Sequence, residues 1–520
     1  LNNPPLPPPT PPLPTPHSPF PFPMTTPLDN SQIQSIVQRV LHEMSSGPQP
    51  AATPAAGPAP HLSHVGRAGR ATPASLSAGQ DGIFLTMDEA VAAARAAFRA
   101  LGQMTLAKRH EIIAAVRAAM RANAELLARM AWEETGLGRP EDKLQKNLLV
   151  VEKTPGPEIL QPLAWSGDGG LSLVERAPYG VVGAITPVTN PTSTVINNAI
   201  SILSAGNAVV FNVHPGAKHV CSYQIQLINR AIVGAGGPAN LLTAIVEPTI
   251  DSAQALMRHP GVRVLLVTGG PAVVKEAMSS GKRAICAGPG NPPVVVDETA
   301  DIDKAGRDIV FGGGFDNNII CVDEKEIFVV DRVADQLKAA MVAHGAVEVP
   351  SHRLRALERV IFKELGQPRK PGVTNKQWVG KHAGDILREI GIPAGQEARL
   401  VLVEVPLEHP LVWTEQLMPV MPLVRVRSCD EAIDLAVEAE HGFGHTASMW
   451  SRDIDQLSRM AREIDTSIFV KNGPNLAGLG YHGEGFTSFS IASPTGEGLT
   501  SALTFSRIRR CTLVDHFRIV

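Results

Sequence analysis

The chain has 520 residues and a formal net charge of −3, so it is long enough for two or three domains with buried cores and offers no basic surface to a nucleic acid. Its apolar runs are too short to span a bilayer, and no charged and apolar leader opens the chain, so neither a membrane span nor export is predicted. The five cysteines contain no CxxC pair, which favours a reducing cytosol over a disulfide framework; they are residues 221, 286, 321, 429 and 511.

The first residues are unlike the rest of the chain. Proline dominates residues 1–27, and such a composition favours extended polyproline conformations that cannot bury a core. This composition predicts a disordered tail. Because the chain begins with Leu1 and Met24 lies just ahead of a helical pattern, we also expect the native protein to start at Met24.

An amphipathic helix is predicted for residues 28–46. Its apolar residues follow helical spacing and form one stripe, and Ser31 with Gln34 forms a capping-box pattern. A helix this short is marginal alone in water, so its apolar stripe needs a partner. Residues 47–80 are rich in proline, alanine, glycine and serine and predict a flexible linker. A helix on such a linker favours docking on another protein; the alternatives are a helix folded back onto its own globule and an inert tail.

From about residue 83 the sequence is typical of a folded α/β protein. Asp88–Leu101 and Thr105–Thr135 have helical periodicity. Beyond Val181, apolar strand candidates alternate with helical stretches, which predicts parallel sheets covered by helices on both faces. Such sheets commonly bind nucleotides at the carboxyl ends of their strands. The strand candidates are 181–185, 208–213, 241–246, 262–267, 293–297, 326–330, 400–405 and 467–471.

Several well-known motifs are missing from the sequence. No GxGxxG follows a strand and opens a helix, since residues 234–237 end a helical stretch and residues 312–314 follow a strand-like stretch without a third spaced glycine. No P-loop and no HExxH motif occurs. His441 and His445 have helical spacing, but the glycines between them make a helix improbable. We therefore expect no metal site.

Eight stretches, in order along the chain, resemble the aldehyde dehydrogenase superfamily. They are most similar to its CoA-acylating branch, the propionaldehyde and acetaldehyde dehydrogenases of bacterial microcompartments. Together the stretches extend the resemblance from about residue 83 to the end of the chain. They are residues 175–183, 186–192, 210–215, 268–270, 287–293, 316–321, 415–419 and 441–445.

The resemblance implies an α/β, aldehyde dehydrogenase-like fold in three parts. The first is a Rossmann-like cofactor-binding domain formed by residues 81–161 and 178–286. The second is an α/β catalytic domain formed by residues 287–485. The third is a small β-arm for oligomerisation, formed by residues 162–177 and 498–520.

The arm carries an expectation about assembly. Leu171–Arg176 and Thr504–Leu513 look like strands of the arm. Because edge strands are often protected by pairing between subunits, we expect a homodimer or a homotetramer.

By resemblance, Cys321 is the catalytic nucleophile. Cysteine suits this role because its thiolate attacks carbonyl groups near neutral pH; the alternative for any single cysteine is a small buried hydrophobe. The thiohemiacetal formed on Cys321 needs donors for its oxyanion, and the Cys321 backbone N–H is one candidate. Thr189 occupies the position of the family's oxyanion asparagine, and Asn190 follows it. Both residues are also compatible with ordinary turn chemistry.

The sequence differs from the hydrolytic branch of the superfamily at position 287, where hydrolytic members have a catalytic base. Hydrolytic members carry a glutamate that activates water, whereas the equivalent stretch here is 287–290, and it starts with Ala287. Without that base, water should cleave the acyl-enzyme slowly. The missing carboxylate therefore predicts that CoA takes the acyl group.

The resemblance also implies the contacts of NAD. Asn212 and Pro215 replace the lysine and glutamate that hold the adenosine ribose in hydrolytic relatives. The turn 268–270 would bring amides to the pyrophosphate or be only a tight turn, and Glu415 would hold the nicotinamide ribose or be a surface carboxylate. His445 would assist a proton transfer or be structural. The candidate cofactor residues are Thr186, Pro187, His214, Pro215, Thr268, Gly269, Gly270, Ala287, Gly288, Glu415 and Pro419.

The implied reaction is the reversible oxidation of a short aldehyde to an acyl-CoA, with NAD and CoA as cofactors. Propionaldehyde is the first expectation for the substrate and acetaldehyde the second. Two other classes stay open: a hydrolytic aldehyde dehydrogenase that gives free acid, and a catalytically silent protein that keeps the fold. Residues 28–44 also resemble encapsulation peptides, which implies binding to microcompartment shell or core proteins and a place inside a cytoplasmic microcompartment.

Overall fold

The computed structural model describes residues 81–520. The predicted proline-rich tail, the helix of 28–46 and the linker 47–80 lie outside the described residues. Fourteen helices cover the described part, as Met87–Leu101, Leu106–Ala122, Ala124–Thr135, Pro140–Lys153, Pro191–Ser204, Lys218–Gly234, Ile250–Arg258, Pro271–Met278, Ile302–Gly314, Asp331–Ala343, Leu354–Ile361, Ala383–Glu389, Cys429–Ala439 and Ile454–Glu463. In residues 81–520, none of them is both long and apolar enough to cross a membrane.

The first sheet is parallel throughout and has six strands. Its strand order places Val181–Ile185 beside Val264–Thr268, although two other strands separate them in the chain. The order in which strands are added to the sheet therefore switches direction at this pair. Open α/β sheets have a ligand-binding crevice at the carboxyl ends of the strands at such a switch point. In spatial order the strands are Ile83–Phe84, Leu242–Ile245, Ala208–Asn212, Val181–Ile185, Val264–Thr268 and Arg283–Ala287.

The second sheet is also parallel and has seven strands. Only a short connection, 288–292, joins the last strand of the first sheet to Pro293–Val296 of the second. The carboxyl edge of the first sheet therefore adjoins the amino edge of the second. In spatial order the strands are Ala346–Glu348, Leu400–Glu404, Val420–Val426, Glu326–Val330, Pro293–Val296, Thr446–Trp450 and Ile468–Lys471.

Each large sheet lies at the centre of its own hydrophobic cluster. The central strands Val181–Ile185 and Glu326–Val330 are buried at every position, as expected for parallel strands covered on both faces. These strands give the sheets rigid frames. The loops at the strand ends are therefore held in defined positions.

Short antiparallel sheets complete the fold. One is an arm sheet of Leu163–Gly167, Gly170–Pro178 and Ser506–Val514. The others pair Phe362–Glu364 with Val373–Thr374 and Ile491–Ala492 with Gly498–Leu499. Six short 3-10 segments are Pro157–Ile159, Pro215–Ala217, Phe315–Asn318, Ser351–Arg353, Pro410–Trp413 and Asn475–Leu479.

The structure confirms all eight predicted strands and both strands of the arm, with ends shifted by one or two residues at most positions. The single helix predicted over 105–135 is wrong, because it is two helices that meet at Asn123. The strand-like stretch before Gly312 is also wrong, since residues 302–314 form a helix whose last turn is glycine-rich. Those glycines permit close packing: a Cβ on Gly312 would lie 2.2 Å from the Glu324 carboxylate. The proposed domain boundaries stay a prediction.

Candidate active site

Four predicted site stretches meet because they precede neighbouring strands of the second sheet. Glu415 precedes Val420–Val426, Cys321 precedes Glu326–Val330, Gly290 precedes Pro293–Val296, and His445 directly precedes Thr446–Trp450. Parallel strands have their amino ends at one edge of the sheet. Stretches that lie far apart in the chain are thereby brought to one edge, opposite the crevice of the first sheet.

The turn before Cys321 has an unusual backbone. Asp316, Asn317 and Asn318 are three successive residues in the left-handed region, with φ of 44°, 56° and 62°. Asparagine and aspartate tolerate this region better than other residues with a Cβ, but a run of three still has to be held by its surroundings.

Side-chain amides hold this turn. Asn317 Nδ2 donates to the carbonyl oxygens of Gly380 at 2.9 Å and Gly138 at 3.2 Å. Asn318 Nδ2 donates to the carbonyl oxygens of Gly313 and Glu324, both at 2.8 Å. The turn is therefore built around polar side chains that point away from solvent into backbone acceptors. This arrangement presents Cys321 in one defined position.

Asp316 anchors the turn to the helix Pro140–Lys153. Its carboxylate accepts from Lys143 Nζ at 3.1 Å, from Lys146 Nζ, and from the Arg139 backbone N–H at 2.6 Å. Asp316 and both lysine side chains are at most 3 % exposed. Burial lowers the pKa of Lys143 to about 8. This carboxylate thus neutralises ammonium groups that would otherwise be buried without a partner.

Lys146 connects this network to the predicted oxyanion donors. Its Nζ donates to Asn190 Oδ1 at 2.6 Å, and Asn190 Nδ2 donates to Thr189 Oγ1 at 3.2 Å. The Thr189 hydroxyl accepts in that bond, so its own hydrogen is not used there. Asn190 lies at the N-cap of Pro191–Ser204, every residue of which is buried. Both predicted donors therefore have fixed side chains.

The Cys321 thiol is partly buried beside charged groups. Burial, followed by the charges of Glu415 and Asp323, raises the pKa of the thiol to about 12, and Lys325 opposes this shift. The Glu415 carboxylate accepts from the Gly290 N–H at 3.1 Å. Burial raises the pKa of Glu415 as well, whereas Lys325 opposes that shift. In this state the thiol is mostly protonated near neutral pH.

His445 and Cys321 both lie close to Gly290. A Cβ on Gly290 would lie 2.8 Å from the Cys321 carbonyl oxygen and 2.9 Å from Cγ of His445. The His445 Nδ1 pairs with Thr446 Oγ1 at 2.8 Å, and its buried Nε2 has no partner within residues 81–520. Burial lowers the pKa of His445 to about 3. The imidazole is therefore neutral at physiological pH.

The crevice of the first sheet carries several predicted cofactor residues. Thr186 follows Val181–Ile185, and its buried Oγ1 has no hydrogen-bond partner in the described part of the chain. Pro187 comes next, and Thr268 ends the adjacent strand, where its Oγ1 pairs with Ser490 Oγ at 3.2 Å. The Thr186 hydroxyl is thus buried without a hydrogen-bond partner among the described residues, at the point where the strand order of the sheet switches direction. This position is consistent with a bound nucleotide.

The Gly269 amide is hydrogen-bonded within the protein. It donates to the Ala287 carbonyl at 3.1 Å, so it is not available to a pyrophosphate. Gly270 caps the helix Pro271–Met278, and a Cβ there would have nothing within 4 Å. Of the two glycines, only Gly270 borders open space in this structure.

The remaining predicted contacts are mainly backbone features. His214 Nδ1 accepts from the Gly216 N–H at 3.0 Å and caps the 3-10 segment that Pro215 begins. The Pro419 carbonyl accepts from Val401 N–H at 2.8 Å. A Cβ on Gly288 would lie 2.8 Å from Pro494.

Two substituted positions are also defined by the structure. Asn212 is bonded to Thr249 and Ser252, so it does not act as a free anchor for a ribose. Ala287 is the last residue of Arg283–Ala287 and is buried, with no carboxylate at this position.

The sequence analysis missed the charged residues beneath the nucleophile. Residues 323–326 read Asp-Glu-Lys-Glu, a pattern that normally predicts solvent exposure, yet all four are completely buried. Lys143 and Lys146 were missed for the same reason. Their three-residue spacing on one helix face, next to apolar residues, was the available signal.

Residues 81–520 contain no group of three or more His, Cys, Asp or Glu side chains that could hold a metal ion. The other cysteines differ from Cys321 in their surroundings. Cys221 and Cys286 are fully buried in the core, and Cys511 is exposed on the arm sheet.

Comparisons with known proteins agree with this geometry. The sequence profile of the aldehyde dehydrogenase family matches residues 78–349 and 398–485. Acetaldehyde dehydrogenase (acetylating) EutE of Salmonella typhimurium is 48% identical over 494 residues, covering 95% of this chain and all of that protein.

Two solved structures are similar in fold and sequence. The propionaldehyde dehydrogenase of Rhodopseudomonas palustris, with bound CoA and an acylated cysteine, has a TM-score of 0.81 and 48% identity over 84% of this chain and 99% of that one. A propionaldehyde dehydrogenase from a fucose utilisation microcompartment of Clostridium phytofermentans has a TM-score of 0.82 and 45% identity over 85% of this chain and all of that one.

Proposed function

This chain belongs to the aldehyde dehydrogenase family, in its CoA-acylating branch, and on that premise we propose that it oxidises a short aldehyde to an acyl-CoA through Cys321. The observation that carries the proposal is the pairing of a partly buried thiol, at the edge where the two sheets meet, with Ala287 in place of a water-activating carboxylate. The thiol supplies a nucleophile, and the missing base leaves the acyl group for a second thiol.

Cys321 performs the covalent steps. Its thiolate forms a bond to the aldehyde carbon, which gives a thiohemiacetal with a negative oxygen. Loss of hydride from that carbon leaves a thioester on Cys321, and displacement by a second thiolate restores the Cys321 thiolate. Bound NAD accepts the hydride, and CoA supplies the second thiol and leaves as the acyl thioester.

Backbone and side-chain donors stabilise the oxyanion in this proposal. The Cys321 N–H is one donor, and the Thr189 hydroxyl or the Asn190 amide is the other. Lys146 supports both side chains by holding Asn190. Each such donor contributes on the order of 3 kcal/mol to lowering the barrier. The neutral His445 is proposed as a hydrogen-bonding group; its low pKa makes it a weak base.

NAD is proposed to bind in the crevice between the two sheets. The orphaned Thr186 hydroxyl and the open space at Gly270 lie on the side of the first sheet where nucleotides bind. Glu415 is placed near Cys321 and is proposed to hold the nicotinamide ribose. With Asn212 bonded inside the protein, the adenosine end has a weaker anchor than in hydrolytic relatives, which suits departure of the reduced cofactor before CoA enters.

Propionaldehyde is proposed as the preferred substrate, with acetaldehyde as the second candidate. The Rhodopseudomonas palustris relative, which acts on propionaldehyde, and the Salmonella typhimurium relative, which acts on acetaldehyde, are equally similar to this chain at 48% identity. Acetaldehyde dehydrogenase (acetylating) EutE of Escherichia coli is 51% identical to this chain, so overall identity does not favour propionaldehyde, and the order of the two substrates is decided by assay.

One assay tests both the reaction and the substrate. NADH formation is followed with acetaldehyde, propionaldehyde and butyraldehyde, each with and without CoA. We expect sustained turnover only with CoA and a single equivalent of NADH per site without it, because no carboxylate at position 287 activates water. We expect kcat/KM to be highest for propionaldehyde.

Either part of this expectation can fail separately. Full turnover without CoA would make the protein a hydrolytic aldehyde dehydrogenase. A higher kcat/KM for acetaldehyde would leave the reaction intact and reverse the substrate order.

A microcompartment location is proposed from residues 28–44 and from the Clostridium phytofermentans relative. Deleting residues 24–46 should leave kcat and KM unchanged and stop co-purification with co-expressed shell proteins, because the apolar stripe of the predicted helix is lost. An equally long deletion, 50–72, shortens the linker and keeps the predicted helix, and it should leave co-purification intact. Co-purification that survives the first deletion contradicts the proposal.

A homodimer or homotetramer is proposed from the arm sheet. Its outer strand exposes apolar side chains, with Ile508 62% and Val514 60% exposed in the single chain, and exposed apolar edges of this kind favour pairing. Sedimentation equilibrium should give at least twice the chain mass. A monomer at micromolar concentration would rule out the assembly.

A further inference from the structure

Lys325 is a buried cation directly beneath the nucleophile. Its side chain is completely buried, and its Nζ donates to Asn318 Oδ1 at 2.6 Å, to the Ile320 carbonyl at 3.0 Å and to the Asn318 carbonyl at 3.2 Å. An ammonium group has three N–H donors. All three of these bonds therefore go to the turn that presents Cys321.

The bond to Ile320 has a consequence for Cys321. The Ile320 carbonyl belongs to the same peptide group as the Cys321 N–H. A cation bound to the carbonyl fixes the plane of this peptide and polarises its N–H toward stronger donation. The Cys321 N–H also lies close enough to its own sulfur to lower the thiol pKa. The polarised Cys321 N–H therefore lies next to the Cys321 sulfur.

Several charged groups face the thiol and the ammonium together. Glu415 and Asp323 disfavour the thiolate, and Lys325 is the cation that favours it. Burial lowers the pKa of Lys325, and this shift is opposed by four neighbouring groups, which are Asp323, Glu415, the Cys321 thiol and Glu324. The charge of Lys325 in turn contributes to the low pKa of His445. Among these groups Lys325 supplies the positive charge next to the sulfur.

We propose that Lys325 is a positioning residue for the nucleophile: its ammonium holds the turn before Cys321, orients the Ile320–Cys321 peptide as an oxyanion donor and stabilises the thiolate. The oxyanion part of this assignment rests on the function proposed above. The effect on the thiolate does not, because it can be read without aldehyde or CoA.

The test uses full-length Lys325→Met and Lys325→Gln. The methionine variant removes the charge and all three bonds, and the glutamine variant removes the charge and keeps amide donors. Alkylation of Cys321 by iodoacetamide is followed by peptide mass spectrometry across pH. We expect the Cys321 rate near pH 8 to fall at least about tenfold in both variants, which corresponds to a thiol pKa raised by about one unit or more. The exposed Cys511 serves as an internal reference whose rate stays constant.

Steady-state kinetics separates the roles further. In Lys325→Met, kcat for aldehyde oxidation should fall about a hundredfold, as for loss of an oxyanion donor. KM for the aldehyde should change less than about threefold, because an interaction made mainly in the transition state lowers kcat and kcat/KM together. Lys325→Gln should retain more kcat than Lys325→Met. If the wild-type protein forms no acyl-CoA, the proposed function is refuted. The alkylation result can still be interpreted in that case, because it needs neither aldehyde nor CoA.

Lys143→Met is the matched control, since it also removes a buried ammonium, but one that pairs with Asp316. Its Cys321 alkylation rate should change less than about threefold. Wild-type alkylation profiles in both Lys325 variants overturn the proposal, and so does an equal loss in Lys143→Met. If neither Lys325 variant folds while Lys143→Met does, Lys325 serves folding alone, and the proposal is overturned as well.

Discussion

Cys321→Ala is expected to lower acyl-CoA formation by at least about four orders of magnitude, since loss of a covalent nucleophile removes the reaction path itself. The structure gives no second thiol to replace it within residues 81–520: Cys221 and Cys286 are buried in the core, Cys429 begins a helix beyond the carboxyl end of Val420–Val426, and Cys511 lies on the exposed arm. The measurement is NADH formation with aldehyde and CoA. In the wild type without CoA, mass spectrometry should find the acyl group on the peptide that contains Cys321.

Cys221→Ala is the matched control for this prediction. Cys221 is fully buried in the helix Lys218–Gly234, and burial raises the pKa of its thiol. The Cys221→Ala variant should therefore have a kcat within about twofold of the wild-type value. Unchanged activity in Cys321→Ala would favour a catalytically silent role for this cysteine. An acyl adduct found on another residue would show that this residue, and not Cys321, is the nucleophile.

Asp316→Asn is expected to lower the free energy of unfolding by about 3–5 kcal/mol, the cost of leaving a buried charge without its partner. Asparagine has the same shape and can keep the left-handed backbone, but it removes the only negative charge that Lys143 and Lys146 both contact among the described residues. The measurement is urea unfolding at one protein concentration, because assembly makes stability concentration-dependent. Since Lys146 also holds Asn190, kcat should fall too.

Asp303→Asn is the control for charge removal. Asp303 pairs with His344 at the surface and is 80% exposed, and exposed pairs contribute little to stability. It should unfold like the wild type. If Asp316→Asn also unfolds like the wild type, the two ammonium groups are neutralised in another way, for instance by loss of their protons.

The strands could be predicted from sequence because buried parallel strands appear as short apolar runs. The order of those strands could not, since sheet order depends on contacts between segments far apart in the chain. That order is what brings Glu415, Cys321, Gly290 and His445 to one edge. The sequence motifs therefore predicted the members of the site, and the sheet explains why these residues meet.

The charged residues show the opposite result. The run Asp323–Glu326 has the composition of an exposed loop, but the fold buries it under the nucleophile. Composition alone could not predict this, because a buried charge is tolerated only when specific partners pair with it or form hydrogen bonds to it. For Lys325 those partners are carbonyl groups of a turn whose shape is set by Gly138 and Gly380.

By itself, then, the sequence determined the α/β class, the strands and the absence of a carboxylate at Ala287, and by resemblance it predicted Cys321 as the nucleophile. These features depend on residue type and local pattern. The tertiary structure alone decided that three residues before Cys321 adopt left-handed conformations, that Lys146 fixes Asn190, and that Lys325 lies beneath the thiol. Each of these depends on hydrogen bonds between chemical groups that only folding brings within reach.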